Sequence, residues 1–159
     1  MSMKVYHELE PIYDEHSKVL ILGTMPSVKS RELQFYYMHP QNRFWRVLEG
    51  IFQERIVDKK EFCLSHSIAL WDVISSCNIQ GSSDYSISDV QVNDLSRIIN
   101  TAKIQAIITT GKKAHELYQK YLYPIYHIED ISLPSTSPAN AIYSLERLIQ
   151  EYQVILNYL

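Results

Sequence analysis

The residues best suited to chemistry lie together in segment 35–45, which reads Phe-Tyr-Tyr-Met-His-Pro-Gln-Asn-Arg-Phe-Trp. Three adjacent aromatic side chains cannot all point into a core, so we expect Tyr36 or Tyr37 to stack on a planar ligand. Asn42 carries an amide donor and acceptor that suit the polar edge of such a ligand, and His39 is a second candidate. Capping of the following helix is an alternative role for Asn42.

A second candidate segment, residues 133–140, reads Leu-Pro-Ser-Thr-Ser-Pro-Ala-Asn. Hydroxyl and backbone N–H groups in such a loop can hold phosphates without reading a sequence. A turn bounded by prolines explains the same residues without a ligand. We therefore keep both interpretations, and the candidate phosphate contacts are Ser135, Thr136, Ser137 and, at the start of a predicted helix, Lys112.

Strands and helices alternate along the chain and must position these loops. Four short apolar runs are typical of buried parallel strands, namely Val19–Leu22, Ile68–Trp71, Ile104–Ile108 and Tyr123–Ile128. The alternation predicts one domain over residues 1–159, a three-layer α/β/α sandwich with a central, mainly parallel four-stranded sheet. Ligands bind beyond the carboxyl ends of parallel strands, so we expect the loops at those ends to converge.

Apolar residues at helical spacing predict the helices between the strands. They predict helices over 44–52, after Asn93 as an N-cap, after Gly111, and over 142–152, with Asn140 as the candidate cap of the last one.

Charge and cysteine content limit the possible functions. The net charge of −3 at pH 7 weighs mildly against a nucleic-acid binder, although five bases face one acid between Lys18 and Arg46. Cys63 and Cys77 are expected to be reduced structural thiols, and two cysteines cannot hold a four-cysteine iron–sulfur cluster. We expect no metal and no cofactor. Since neither a membrane-spanning apolar run nor a signal peptide is visible, a cytoplasmic monomer is expected.

Four segments resemble the uracil-DNA glycosylase superfamily and, more narrowly, its hypoxanthine-DNA (deoxyinosine) glycosylase branch. They are the first motif at 23–27, its extension at 36–45, the segment Ala-Leu-Trp-Asp-Val at 69–73, and the second motif at 133–140. The resemblance implies a monofunctional enzyme that flips a deaminated base out of DNA and hydrolyses its N-glycosidic bond. A uracil or mismatched-uracil glycosylase, and a non-catalytic nucleic-acid-binding module, stay open as alternatives.

The resemblance also implies roles for single residues. Best-studied members of the superfamily carry Asp or Asn in the first motif, where this chain has Thr24 or Met25. In the branch that this chain resembles, the catalytic asparagine lies in the extension and corresponds to Asn42. His39 is a second catalytic candidate that would stabilise the leaving base, and bracing of the loop is its alternative role. The expected base contacts are Gly23, Thr24, Met25, Tyr36 and Tyr37.

Overall fold

A computed structural model describes residues 3–159 of the chain. Its central sheet has four parallel strands, β2 (Val19–Gly23), β3 (Ile68–Asp72), β6 (Ala106–Thr110) and β7 (Asp130–Leu133). Their order in the sheet is β3-β2-β6-β7. Every residue of β2, β3 and β6 is buried, as expected for strands with helices packed around both faces of their sheet. The predicted three-layer α/β class with a parallel four-stranded sheet is confirmed.

Seven short α-helices pack around this sheet. They are α1 (Val28–Leu33), α2 (Phe44–Phe52), α3 (Lys59–Ser65), α4 (Ser96–Ile99), α5 (Lys112–Leu117), α6 (Tyr123–Tyr126) and α7 (Leu145–Tyr152), among residues 3–159. Helices α2 and α7 contact each other closely at Gly50, where a Cβ atom would lie 2.7 Å from Ile149 Cγ1. The glycine thus allows α7 to approach the helix that follows the candidate loop.

A second, antiparallel sheet is absent from our prediction. It contains β1 (Met3–Tyr6), β4 (Ile74–Ile79) and β5 (Ser88–Val92), in the order β1-β4-β5. Only Val73 separates β3 from β4, so the chain passes directly from one sheet to the other. Polar and half-exposed residues in these three strands hide the apolar periodicity on which a sequence-based prediction depends.

The predicted strand over Tyr123–Ile128 is wrong. A π-helical segment, Tyr118–Leu122, continues into α6, and the fourth strand of the sheet is β7 instead. The buried Tyr118 hydroxyl donates to the carbonyl of Ile128 at 2.5 Å, which fixes the helical segment against the start of the next strand. Tertiary packing here outweighs the strand propensity of tyrosine and isoleucine.

Two predicted helix caps are also wrong. Asn93 donates to the carbonyls of Asp72 and Ile74, at the junction of the two sheets, because its side chain is buried there. The C-terminal helix begins only at Leu145, and the hydroxyl of Ser144 caps it by accepting from the backbone N–H of Arg147.

Helix length and the environment of the cysteines are the last two features of the fold. Within residues 3–159, no helix has the length and apolar character needed to cross a bilayer. Cys63 and Cys77 are both buried and unpaired with each other. Burial raises the pKa of the Cys63 thiol to about 12, which favours its neutral, unreactive form.

Candidate active site at the carboxyl edge of the sheet

The loops at the carboxyl ends of the strands converge, as predicted. Gly23 ends β2 and stands opposite Asp72, the last residue of β3, in the parallel register. The segment before α2 is joined to the second motif because the backbone N–H of Arg43 donates to the carbonyl of Thr136 at 3.1 Å. The N–H of Gly111 donates to the carbonyl of Leu133 at 2.8 Å, which brings in the loop after β6.

Asn42 lies half-buried at the start of α2, where two hydrogen bonds fix its amide. Its Oδ1 atom accepts from the backbone N–H of Phe44 and from the hydroxyl of Thr136, both at 2.9 Å. Because a backbone N–H can only donate, the oxygen must be the atom turned inward. The amide nitrogen, Nδ2, has no hydrogen-bond partner within residues 3–159. Asn42 therefore supports the helix start and still presents free N–H donors.

Tyr36 belongs to the core, which contradicts the prediction that its ring contacts a flipped base. Only 3% of the residue is exposed, and its hydroxyl donates to the carbonyl of Glu10 at 2.8 Å. Burial raises the pKa of Tyr36 far above its usual value. Its own carbonyl accepts from the indole N–H of Trp45, which binds the aromatic segment to α2.

Tyr37 is the tyrosine that the fold places at the site. Its ring stacks on Phe44 with centroids 3.9 Å apart, and its hydroxyl lies 3.5 Å from Thr110 Oγ1. The backbone of Tyr37 has φ = 55°, a left-handed conformation that is uncommon for a bulky residue and costs about 1–3 kcal/mol. Burial raises the pKa of its hydroxyl, which therefore stays protonated at neutral pH.

The rest of the first motif is less available to a ligand than we expected. The carbonyls of Gly23 and Thr24 accept from the backbone N–H groups of Val73 and Ile74, at 2.8 and 3.1 Å. The side chain of Thr24 is buried, and Met25 packs partly against the core. Gly23 is buried and closely packed, since a Cβ atom there would lie 2.5 Å from Asp72 Oδ1 and 3.2 Å from the Tyr37 hydroxyl.

Asp72 and His7 form a buried pair at this edge, and neither is among the predicted site residues. His7 Nε2 and Asp72 Oδ2 are 2.8 Å apart, and the side chains are 1% and 5% exposed. The other carboxylate oxygen, Oδ1, faces Gly23, where a Cβ atom would lie at 2.5 Å. An aspartate at the end of an apolar strand was the signal for Asp72, whereas nothing in the sequence indicates His7.

His39 braces the turn before Asn42. Its Nδ1 atom accepts from the backbone N–H of Gln41 at 3.1 Å, and its carbonyl accepts from the N–H of Asn42 at 2.9 Å. Nε2 is therefore the ring atom that carries the proton in neutral His39, and it is the one polar atom of the ring left for a ligand.

Arg43 stabilises the second motif and is not a free cation. Its guanidinium donates to the carbonyls of Ser137 and Asn140 at 3.0 Å, and also to that of Tyr143. Asn140 in turn donates to the carbonyl of Ser135, so the loop is held closed from both sides. This arginine fixes the loop position relative to Asn42, its neighbour in the chain.

The candidate phosphate contacts separate into two groups. Thr136 is 2% exposed and its hydroxyl is bonded to Asn42, so a direct phosphate contact from this side chain is contradicted. Ser135 and Ser137 are half-exposed, and their hydroxyls accept from backbone N–H groups two residues ahead, those of Ser137 and Ala139. Lys112 is exposed at the start of α5, after Gly111.

Comparison with known proteins identifies the family of this chain. The family model of the uracil DNA glycosylase superfamily matches residues 10–159. The chain belongs to this superfamily. A protein of Methanosarcina acetivorans named hypoxanthine DNA glycosylase is 37% identical over 142 residues, covering 86% of this chain and 89% of the relative. Another of the same name, from Methanosarcina barkeri, is 33% identical over 136 residues, covering 82% and 85%.

A solved structure in this superfamily has the same fold. The solution NMR structure of a candidate uracil DNA glycosylase from Methanosarcina acetivorans superposes with a TM-score of 0.73 and 31% sequence identity. The superposition covers 97% of this chain and 99% of that one. The predicted family resemblance is therefore confirmed. The superfamily match begins at residue 10, so His7 lies outside it.

Proposed function

We propose that the protein is a monofunctional DNA glycosylase that flips hypoxanthine out of DNA and hydrolyses its N-glycosidic bond, leaving an abasic site. The observation that carries this proposal is the orientation of Asn42. Its oxygen is occupied by Phe44 and Thr136, and its amide nitrogen is free at the carboxyl edge of the sheet. The relatives named hypoxanthine DNA glycosylase support the choice of base.

The orientation of Asn42 suits stabilisation of the departing base. When the bond from the sugar C1′ to the base nitrogen breaks, its electron pair leaves with the base, and the sugar acquires oxocarbenium character. N–H donors fixed in advance stabilise such charge, and one donor is typically worth ~3 kcal/mol. A water oxygen then bonds to C1′, and the proton that it releases balances the one taken up by the departing base.

Asn42 is a poor candidate for activating that water. Activation requires a group that accepts a proton or a hydrogen bond from water. The Oδ1 atom of Asn42 already accepts two hydrogen bonds, from Phe44 and Thr136, which use both of its lone pairs. We therefore assign Asn42 to the leaving base rather than to the water. The Nε2 atom of His39 is a second donor for the base.

Other groups support the DNA strand and the flipped base. The ring of Tyr37 is the candidate stacking surface, and Gly23 provides the close approach to the backbone. The half-exposed Ser135 and Ser137, with the exposed Lys112, are the candidate phosphate contacts. We further infer that the enzyme acts as a monomer in the cytoplasm and needs no metal, cofactor or iron–sulfur cluster.

Excision of deoxyinosine and Asn42→Ala together test the proposal. Duplexes with one deoxyinosine or one deoxyuridine are incubated with excess enzyme, and abasic sites are then cleaved with alkali. We expect the wild type to cut the deoxyinosine strand and Asn42→Ala to cut it about a hundredfold more slowly.

The matched control is Gln41→Ala, because Gln41 is exposed in the same turn. It should retain the wild-type rate. If the wild type leaves deoxyinosine intact, the assigned substrate is wrong, and cleavage of the deoxyuridine strand alone would identify a uracil glycosylase. Equal rates for Asn42→Ala and wild type would refute the assigned role of Asn42.

A further inference from the structure

We propose that Asp72, oriented by His7, distinguishes a deaminated base from its parent base, hypoxanthine from adenine and uracil from cytosine, by accepting the ring N–H that deamination creates. This inference rests on the proposed function, because it places the flipped base at the carboxyl edge of the sheet. It adds a residue that determines specificity, Asp72, and a positioning residue, His7, outside the matched superfamily region.

The geometry leaves one oxygen of Asp72 free for a ligand. Oδ2 is bonded to the His7 ring, whereas Oδ1 has no hydrogen-bond donor within residues 3–159. Oδ1 faces Gly23, at the point where any side chain on that residue would collide with it. A carboxylate oxygen therefore lies beside Gly23 in the first motif. The resemblance predicts that this motif contacts the base.

Nearby hydroxyl groups, like Asp72 Oδ1, favour a ligand that donates hydrogen bonds. Thr110 Oγ1 lies 3.4 Å from the carbonyl of Leu22, to which it can only donate. The Tyr37 hydroxyl, 3.5 Å from Thr110 Oγ1, must then be the donor to Thr110. The Tyr37 oxygen and Asp72 Oδ1 are left as acceptors beside Gly23, where a Cβ atom would lie 3.2 and 2.5 Å from them. A ligand that binds there must bring N–H groups.

Deamination changes the base in the way that this surface can detect. Adenine carries a lone pair on N1, and its deaminated product hypoxanthine carries an N1–H. In the same way cytosine carries a lone pair on N3, and uracil an N3–H. An acceptor-only carboxylate opposite this ring nitrogen bonds hypoxanthine or uracil and faces the lone pair of adenine or cytosine, which leaves two buried acceptors unpaired. Guanine N1–H and thymine N3–H satisfy the same acceptor, so Asp72 separates each deaminated base from its parent base only. Sites of this kind discriminate strongly against the base that lacks the donor.

The second sheet positions the imidazole of His7 behind the carboxylate. His7 follows β1 directly, and its backbone N–H donates to the carbonyl of Ser75 at 2.7 Å, which extends the pairing of β1 with β4. The ring packs edge-on against Trp71, with centroids 6.3 Å apart. With Oδ2 bonded to this ring, the carboxylate cannot rotate, and Oδ1 keeps its direction toward Gly23.

Asp72→Asn tests the direction of the proposed hydrogen bond between Asp72 and the base. The side chain keeps its shape, and His7 continues to donate to the amide oxygen, so the amide N–H₂ group replaces Oδ1 beside Gly23. A donor now faces the base. We expect excision of deoxyinosine to fall about a hundredfold and the ratio of deoxyinosine to deoxyadenosine binding to fall by more than about tenfold.

Binding is measured with uncleavable duplexes, so that it is independent of excision. These contain 2′-fluorinated deoxyinosine or 2′-fluorinated deoxyadenosine, each opposite thymine. If Asp72→Asn keeps the wild-type binding ratio, the inference about Asp72 is overturned even where the wild type excises hypoxanthine. If the wild type discriminates in binding and Asp72→Asn loses this, but no excision occurs, the inference stands and the proposed catalytic function fails.

The positioning role of His7 is tested with two His7 variants and a control variant at the exposed Glu8. His7→Gln keeps an N–H donor for Asp72 and should retain most of the base preference, whereas His7→Leu should lose most of it. Glu8→Gln, at an exposed neighbouring position, should leave the preference unchanged. A purely structural role for His7 would lower stability in the Leu variant without changing the binding ratio, and that result would overturn its role in positioning.

Discussion

At the scale of single residues, the candidate site depends on which atom of Asn42 and of Asp72 the protein leaves without a hydrogen bond. In each side chain one oxygen is held by the protein, and the opposite atom is left for a ligand. Asn42 presents a donor and Asp72 an acceptor. The resemblance indicated Asn42 because its segment is distinctive. The environment of Asp72 depends on His7, 65 residues earlier, and no local pattern contains such a pairing.

Thr136 is predicted to act through Asn42 rather than on DNA. Thr136→Val removes the hydroxyl that donates to Asn42 Oδ1 and nearly preserves the volume of the buried side chain. The amide then has one hydrogen bond instead of two, so its direction is less well fixed. We expect the single-turnover excision rate to fall about tenfold, with a loss of about 1–2 kcal/mol in the free energy of unfolding.

Thr136→Ser is the control for this prediction, because it restores the hydroxyl and removes only a methyl group. It should recover most of the excision rate. Thr136→Val could instead weaken DNA binding while leaving the excision rate at saturating enzyme unchanged. That result would show that Thr136 contacts DNA directly.

At the scale of elements, the sequence predicts what periodicity and apolar burial determine. Strands β2 and β3 consist of unbroken apolar runs that end in Gly23 and Asp72, and both are predicted nearly to the residue. Strand β7 is missed because only Ile131 and Leu133 are apolar in it, and its first residue, Asp130, has a buried carboxylate. Its place in the sheet depends on the partners of that carboxylate, which periodicity does not reveal.

Those partners make β7 sensitive to acid. Asp130 accepts from Thr109 Oγ1 at 2.6 Å, His115 Nδ1 at 2.7 Å and Gln119 Nε2 at 2.6 Å. Burial acts to raise the pKa of Asp130, but these hydrogen bonds and the charge on His115 outweigh burial, so the pKa lies below 3.8. A carboxyl whose pKa is lowered by folding stabilises the protein fully above its unfolded pKa of about 3.9.

We therefore expect the free energy of unfolding to decrease as pH falls below about 4 and through the lowered pKa of Asp130. Urea unfolding measured at pH 6 and at successive points below pH 4 gives this dependence. Asp130→Asn should be less stable than the wild type at pH 6 and should lose less stability on acidification. A parallel decrease for the wild type and the Asn variant would show that other carboxyls dominate.

At the scale of the whole molecule, the protein itself engages most of the five basic residues in the positive segment between Lys18 and Arg46. Arg43 is occupied by backbone carbonyls of the second motif, and Arg31 donates to the carbonyls of Pro26 and Gly81. Lys29 forms an ion pair with Glu32 at 3.8 Å. The positive segment visible in the sequence therefore contributes to the fold more than to a phosphate-binding surface, which agrees with the net charge of −3.

This distribution predicts a weak dependence of DNA binding on salt. Each phosphate neutralised by a lysine or arginine contributes about −0.9 to the slope of log K against log salt concentration. Ser135 and Ser137 are neutral, so phosphate contacts through them add little to the slope. We expect a slope of about −2 or shallower for a duplex with an uncleavable base, measured by fluorescence anisotropy between low and moderate salt.

Lys112→Gln should make the slope shallower by about one unit, because it removes the exposed cation that we assign to a phosphate. Lys18→Gln is the matched control. Lys18 directly precedes β2 and so lies at the opposite, amino-terminal edge of the sheet, where the slope should not respond. A steep slope that Lys112→Gln leaves unchanged would place the phosphate-binding surface elsewhere on the molecule. Binding energy would then come mainly from charge rather than from the flipped base and its contacts at the carboxyl edge.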